Sequence, residues 1–137
     1  MNLSRNHLNG SVPLEFGKLK NLNFLDLSFN ELIGPTFPSL SRLTSLRYLD
    51  LSSNRINGSI DPEIGSLEGL TELDLSNNTL SLMIPNQVAQ LRQLQLLNLS
   101  GNNFTGILHI GPCDNIAQML PVTIDVTHNH VSFDMIE

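Results

Sequence analysis

The chain has 137 residues, the size of one ordinary domain, with 7 Lys and Arg against 13 Asp and Glu and a formal net charge of -6. That balance argues against a nucleic-acid partner, which rewards basic patches. No run approaches the roughly 20 apolar residues of a membrane helix, and the polar start MNLSRNHLNG lacks the apolar core of a signal peptide.

In chain order, one short pattern keeps returning. The first coil, near residues 1–20, sets Met1, Leu3, Asn6 and Leu8 ahead of Gly10-Ser-Val-Pro13. The second, 21–44, reads FLDLSFNEL and then Gly34 to Pro38. The third, 45–68, reads YLDLSSNRI and then Gly58-Ser-Ile-Asp-Pro62. The fourth, 69–92, reads ELDLSNNTL, with Leu82 where glycine would stand and then Ile84-Pro85. The fifth, 93–119, carries LLNLSGNNF and a lengthened loop, HIGPCDN, that holds the lone Cys113. A degenerate sixth, 120–137, has Pro121 for its first leucine and Phe133 at the glycine position.

The asparagines Asn6, Asn30, Asn54, Asn78 and Asn102 are each 24 residues apart, and Asn129 follows at 27. Aliphatic residues sit in phase with them. In Leu25-x-Leu27 and its copies the period of two puts both leucines on one side of a short strand. One coil cannot bury that side alone, but stacked coils bury a continuous column. Strands of successive coils then lie roughly 4.8 Å apart in a parallel sheet. Each asparagine, turned inward at the strand end, can satisfy backbone groups that the turning chain would orphan. Gly and Pro after it favour an extended, non-helical return side of irregular or 3-10 turns.

The columns spell LxxLxLxxNxL, the signature of a leucine-rich repeat. With the 24-residue period and the G-x-I-P element, the chain resembles the plant-specific class, best over Leu46 to Pro62. The resemblance implies a right-handed curved or twisted solenoid of about five to six coils. It has a parallel β-sheet on the concave face. The family includes ectodomains of plant receptor-like kinases and receptor-like proteins, and secreted inhibitors of pectin-degrading enzymes. Their shared activity is recognition of peptides, proteins, steroids or co-receptors on the concave and inner lateral surface. The period specifies the fold and leaves the ligand open.

The expectation is therefore a single repeat domain, without terminal caps, membrane helix or kinase, from a receptor-like ectodomain acting in signalling. Its partner would be a protein or peptide ligand or a co-receptor. It would lie at the cell surface as part of a parent receptor, meeting a membrane only through that parent's other parts. Alone, with no leader, it would be cytoplasmic or of unknown location. Two alternatives stay open: a soluble polygalacturonase-inhibitor-like protein, and a truncated gene product without independent function. No catalytic set and no cofactor motif is visible, and any kinase activity would belong to a domain absent from this chain. An isolated chain without caps is expected to be marginal or to aggregate.

Residues between the strand leucines point outward on the concave face. Two of those columns are nearly uniform: Asn2, Asp26, Asp50, Asp74, Asn98, Asp125, and Ser4, Ser28, Ser52, Ser76, Ser100, Thr127. They read as scaffold, hydrogen-bonding along the ladder, and stacked Asp should raise its own pKa values. The changing columns are the recognition candidates. Phe24, Phe29 and Tyr48, clustered beside Arg47, would anchor a partner. Glu72 would add charge selectivity, and Asn77 completes the set.

Six glycosylation sequons start at Asn2, Asn9, Asn57, Asn77, Asn98 and Asn103. The repeat phase itself generates some of them, and a glycan on Asn77 or Asn98 would obstruct the concave side. His128-Asn-His130 carries no metal reading, because its Asn129 belongs to the ladder and no Cys or His cluster supports it. Cys113 reads as an unpaired thiol or as half of a pair lost with a missing cap.

Overall fold

The computed structural model describes residues 1–35, 37–110 and 122–135. The expectations placed on Cys113 and Pro121 lie outside them. Each coil opens on a three-residue strand: β2 (Phe24–Asp26), β4 (Tyr48–Asp50), β6 (Glu72–Asp74), β8 (Leu96–Asn98) and β10 (Thr123–Asp125). These five pair side by side, all parallel, in the order in which the chain makes them. Register sets Leu25, Leu49, Leu73, Leu97 and Ile124 in one row. Leu25, Leu49 and Leu73 are fully buried there, because their side of each strand faces the solenoid interior. The first coil joins through an Asn2–Asp26 bridge, with Leu3 N–H donating to Asp26 O at 2.8 Å and Arg5 N–H to Ser28 O at 2.9 Å.

Beyond each ladder asparagine the chain stays extended and pairs again. The strands are β1 (Asn9–Gly10), β3 (Glu31–Leu32), β5 (Asn57–Gly58), β7 (Thr79–Met83), β9 (Asn103–Ile110) and β11 (His130–Met135). They form a β1–β3 pair and a four-stranded parallel sheet β5–β7–β9–β11. The repeat pattern called for one sheet, so the second is an addition to it. Its cause is the unvarying coil geometry, which lays equal extended segments side by side, so their N–H and C=O groups find each other.

Leu14–Lys18, Pro62–Ser66 and Asn86–Gln90 form 3-10 turns on the convex side, each begun at a proline or just after one. Proline's fixed φ suits the first turn of a helix, where its missing donor costs nothing. The second coil departs from the non-helical expectation with one α-helical turn, α1 (Phe37–Leu40), that buries Phe37 and Leu40.

Gly10, Gly34, Gly58 and Gly106 hold positive φ four residues after their asparagines, and Leu82 holds φ 65 at that same position while 63% exposed. A left-handed backbone costs a residue with a Cβ roughly 1–2 kcal/mol, and so exposed a side chain recovers little by burial. Leu82→Gly is expected to stabilise the protein by about 1 kcal/mol after glycine's own entropy cost. A urea midpoint that stays put or falls would show that the leucine contributes packing worth more than the strain.

Candidate functional site

The ladder asparagines Asn30, Asn54, Asn78 and Asn102 are buried. Asn54 Nδ2 donates to the carbonyls of Leu27 (3.0 Å), Leu51 (3.1 Å) and Ser52 (3.2 Å), while its Oδ1 accepts the Leu32 N–H at 3.0 Å. Asn30, Asn78 and Asn102 repeat this set, each reaching one coil back. Asn129 does so across the longer fifth coil, to Leu99 O at 2.8 Å and from Phe104 N–H at 3.0 Å. Asn6 donates to the Leu3 and Ser4 carbonyls of its own coil. These amides spend their donors and acceptors on backbone.

The uniform Asp and Ser columns behave differently from the reading given them. Ser28 donates its N–H (3.0 Å) and hydroxyl (2.7 Å) to Asp26 Oδ1, and Ser76 does the same to Asp74, Ser100 to Asn98 and Thr127 to Asp125. The bonds close a turn inside each coil instead of running along the ladder, because an Asx side chain reaches its own backbone two residues on. Ser28, Ser52 and Ser76 are consequently buried and do not face outward. Asn98 Nδ2 to Asp74 Oδ2, at 3.3 Å, crosses between coils.

The carboxyl of Asp50 is held above its ordinary value, first by burial and then by Asp74 and Asp26 alongside, against the pull of the bonds from Ser52. Repulsion along the stack thus acts in the expected direction, but burial is the larger cause. At Asp125, on the last strand of the sheet, the bonds from Thr127 win and the carboxyl falls below its ordinary value.

The aromatic candidates separate into two pairs. Phe24 and Tyr48 occupy the same register position on β2 and β4 and stack with ring centroids 4.4 Å apart and planes 9° from parallel. Phe24 is 38% exposed. The Tyr48 hydroxyl donates to Asp50 Oδ2 at 3.3 Å, and its pKa is pushed up to about 12 by burial and then by the Asp50 and Asp26 carboxylates. Tyr48 therefore stays a neutral donor. Phe29 lies beyond the Asp and Ser columns, where Arg5 of the preceding coil stands 4.3 Å above its ring centroid.

Arg47 turns its guanidinium to backbone. Its Nη1 donates to the carbonyls of Leu46 (3.1 Å) and Ser45 (3.3 Å), and its guanidinium fills the space a Cβ on Gly69 would need. A long flexible stem lets the guanidinium curl back to nearby carbonyl acceptors. The cation on the aromatic surface is Arg5, which the sequence reading missed as a site residue. A signal was present: Arg5 and Phe29 share one column of the 24-residue period.

That column has a second property. Arg5, Phe29, Ser53, Asn77 and His128 all hold φ between 54 and 57, and Gly101 holds 66. Asparagine and glycine tolerate the left-handed region, whereas a bulky phenylalanine there is an outlier. Phe29 is 46% exposed, so burial does little to repay the strain. The same φ in every coil makes it a demand of the repeat's own turn, which Phe29 meets at a cost.

Glu72 is half-buried on β6, in register with Tyr48. Asn77 is exposed, its Oδ1 against Gly101, where an added Cβ would come within 2.5 Å. Among the sequon asparagines, Asn2 and Asn98 have their Oδ1 atoms taken by the Ser4 and Ser100 of their own sequons. Asn9, Asn57 and Asn103 are exposed on the second set of strands. Asn129 of His128-Asn-His130 is bound into the ladder, and among the described residues no group of three or more His, Cys, Asp or Glu could hold a metal ion. Among them, too, no helix is long and apolar enough to cross a membrane.

One leucine rich repeat family model matches residues 44–104, and a second matches 1–19 and 21–43. No curated protein shows a significant match to the chain. Solved structures do. The leucine-rich repeat ectodomain of the receptor kinase SOBIR1 from Arabidopsis thaliana superposes with a TM-score of 0.86 at 29% identity, covering 97% of this chain and 72% of that one. The BIR3–SERK2 complex from Arabidopsis thaliana gives 0.78 at 31% identity, covering 100% and 69%. The ectodomain of the Arabidopsis receptor kinase HAESA, solved with an extended IDA peptide hormone ligand, gives 0.80 at 26% identity, covering 96% and 25%. Coverage of a further match, a TDR receptor, is 22% of its length, so this chain corresponds to only part of such ectodomains.

Proposed function

The chain belongs to the leucine-rich repeat family and folds like the ectodomains of plant receptor kinases, and from that premise we propose that it recognises a peptide or protein partner along its concave face, as part of a cell-surface receptor-like ectodomain. The observation that carries this reading is the stack of exposed Phe24 on half-buried Tyr48, on a sheet face whose Asp and Ser columns are consumed by scaffold. Aromatic side chains exposed in a cluster are the usual anchors of protein interfaces. Phe29 under Arg5 supplies a second anchor on the first two coils, and Glu72 lies on the next coil beyond Tyr48, in register with it. Arg47 has a structural part in this account, packing the turn at Gly69. The HAESA structure, with its peptide hormone, supports the kind of partner, and the BIR3–SERK2 complex supports a second receptor as partner.

Selection of a displayed random-peptide library on the immobilised protein tests the reading. Convergent sequences should emerge, and their synthetic forms should bind Tyr48→Ala at least about tenfold more weakly, about 1.4 kcal/mol. Sequences that fail to converge, or that bind Tyr48→Ala as well as the parent, would count against the concave surface as the site.

A further inference from the structure

Resting on that recognition reading, we propose that the concave face of the second to fourth coils takes an extended basic peptide segment. An arginine or lysine of that segment lies against the Phe24–Tyr48 stack, within reach of Asp26, Asp50, Asp74 and Glu72. Register places the three aspartates in one row and sets Glu72 beside Tyr48. Neighbours in such a row are roughly 4.8 Å apart. The carboxylates meet no cation of the protein: among the described residues the one ion pair is His7 with Glu31, at 3.6 Å. Arg5 is committed to Phe29, and Arg47 to backbone carbonyls. The Tyr48 hydroxyl, the polar group of the stack, already donates to Asp50. What remains is a surface rich in acceptors beside an aromatic one.

The aromatic stack is a second feature beside the acidic row, joined to it by the Tyr48–Asp50 hydrogen bond. Phe24, the outer ring of the stack, is exposed, and Tyr48 is half-buried with Glu72 in register on its other side. A cation over an aromatic face gains from the ring quadrupole, and a planar guanidinium can stack while its N–H groups reach carboxylates. A neutral or acidic peptide would desolvate the same carboxylates and give them no partner. Asp50 is half-buried, and its carboxyl is held above its ordinary value first by that burial and then by Asp74 and Asp26 alongside.

The test uses acetylated dodecapeptide sets with Arg, Lys, Glu or Leu fixed at each position in turn, bound to the whole chain. Asp26→Asn with Asp50→Asn removes charge while keeping the Oδ1 that the serines need. The fold accepts asparagine in that column, since Asn2 and Asn98 receive the same serine bonds. Tyr48→Leu removes the ring, and Glu15→Gln with Glu68→Gln removes two exposed charges elsewhere. We expect the Arg and Lys sets to bind at least about tenfold better than the Leu set. That preference should vanish in the aspartate pair, weaken in Tyr48→Leu and persist in the glutamate pair. Peptide binding without a basic preference, or a preference unmoved by the aspartate pair, overturns the assignment of a cationic ligand and leaves peptide recognition standing. Binding of none of the sets overturns both.

Discussion

Asn78→Ala will destabilise the protein by about 3 kcal/mol, against less than about 1 kcal/mol for Asn6→Ala. Both substitutions remove the same side chain from the same column. Asn78 is 7% exposed, sits between two coils, and joins them: Nδ2 donates to Leu51 O at 2.9 Å one coil back, and Oδ1 accepts the Ile56 N–H at 3.0 Å. Alanine would leave that buried N–H without an acceptor, and an unmade buried bond costs more than a made one contributes. Asn6 is exposed and bonds carbonyls of its own coil, so water can replace it. Urea unfolding of the two variants at unchanged m-value makes the comparison. Equal losses, or a loss below about 1 kcal/mol at Asn78, would mean that stacked leucines alone hold the coils together.

What could be read from the chain alone follows from where the information sits. The leucine rows and the asparagine column were legible because burial imposes a residue type at a fixed phase, and the phase repeats. The second set of strands was not, because backbone makes it. Segments such as Asn57–Gly58 carry residues that strands disfavour, and they pair only because the next coil is laid beside them. The aromatic surface was half legible. Phe24 and Tyr48 share a register position, and the period alone predicts their contact. Phe29 was expected beside them because regular alternation was assumed, but its left-handed backbone ends the alternation. Arg47 shows another limit: a column fixes where a Cα lies, and a long side chain chooses its own acceptors, here the Ser45 and Leu46 carbonyls. The intracoil Asp–Ser turns belong to the same lesson, since a uniform column does not say whether its members bond to one another or to themselves.

Phe104→Ala should cost about 3–5 kcal/mol, and Phe104→Leu about 1 kcal/mol. Phe104 holds the position that Leu8, Leu32, Ile56 and Leu80 hold in earlier coils, and it is fully buried. The asparagine spacing lengthens from 24 to 27 residues immediately after it. Alanine would leave a cavity where the backbone is also pinned, since the Phe104 N–H donates to Asn129 Oδ1 and β9 pairs with both β7 and β11. Such a pinned site relaxes poorly, and the cost of a cavity grows with the volume that stays empty. Leucine would restore the column's usual residue and lose only the difference in size. Hydrogen exchange adds a spatial readout: in Phe104→Ala, protection should fall first at β9 and β11 and last at β4. If Phe104→Leu costs as much as Phe104→Ala, the aromatic ring is required for its shape; if neither costs more than about 1 kcal/mol, the fifth coil closes without it.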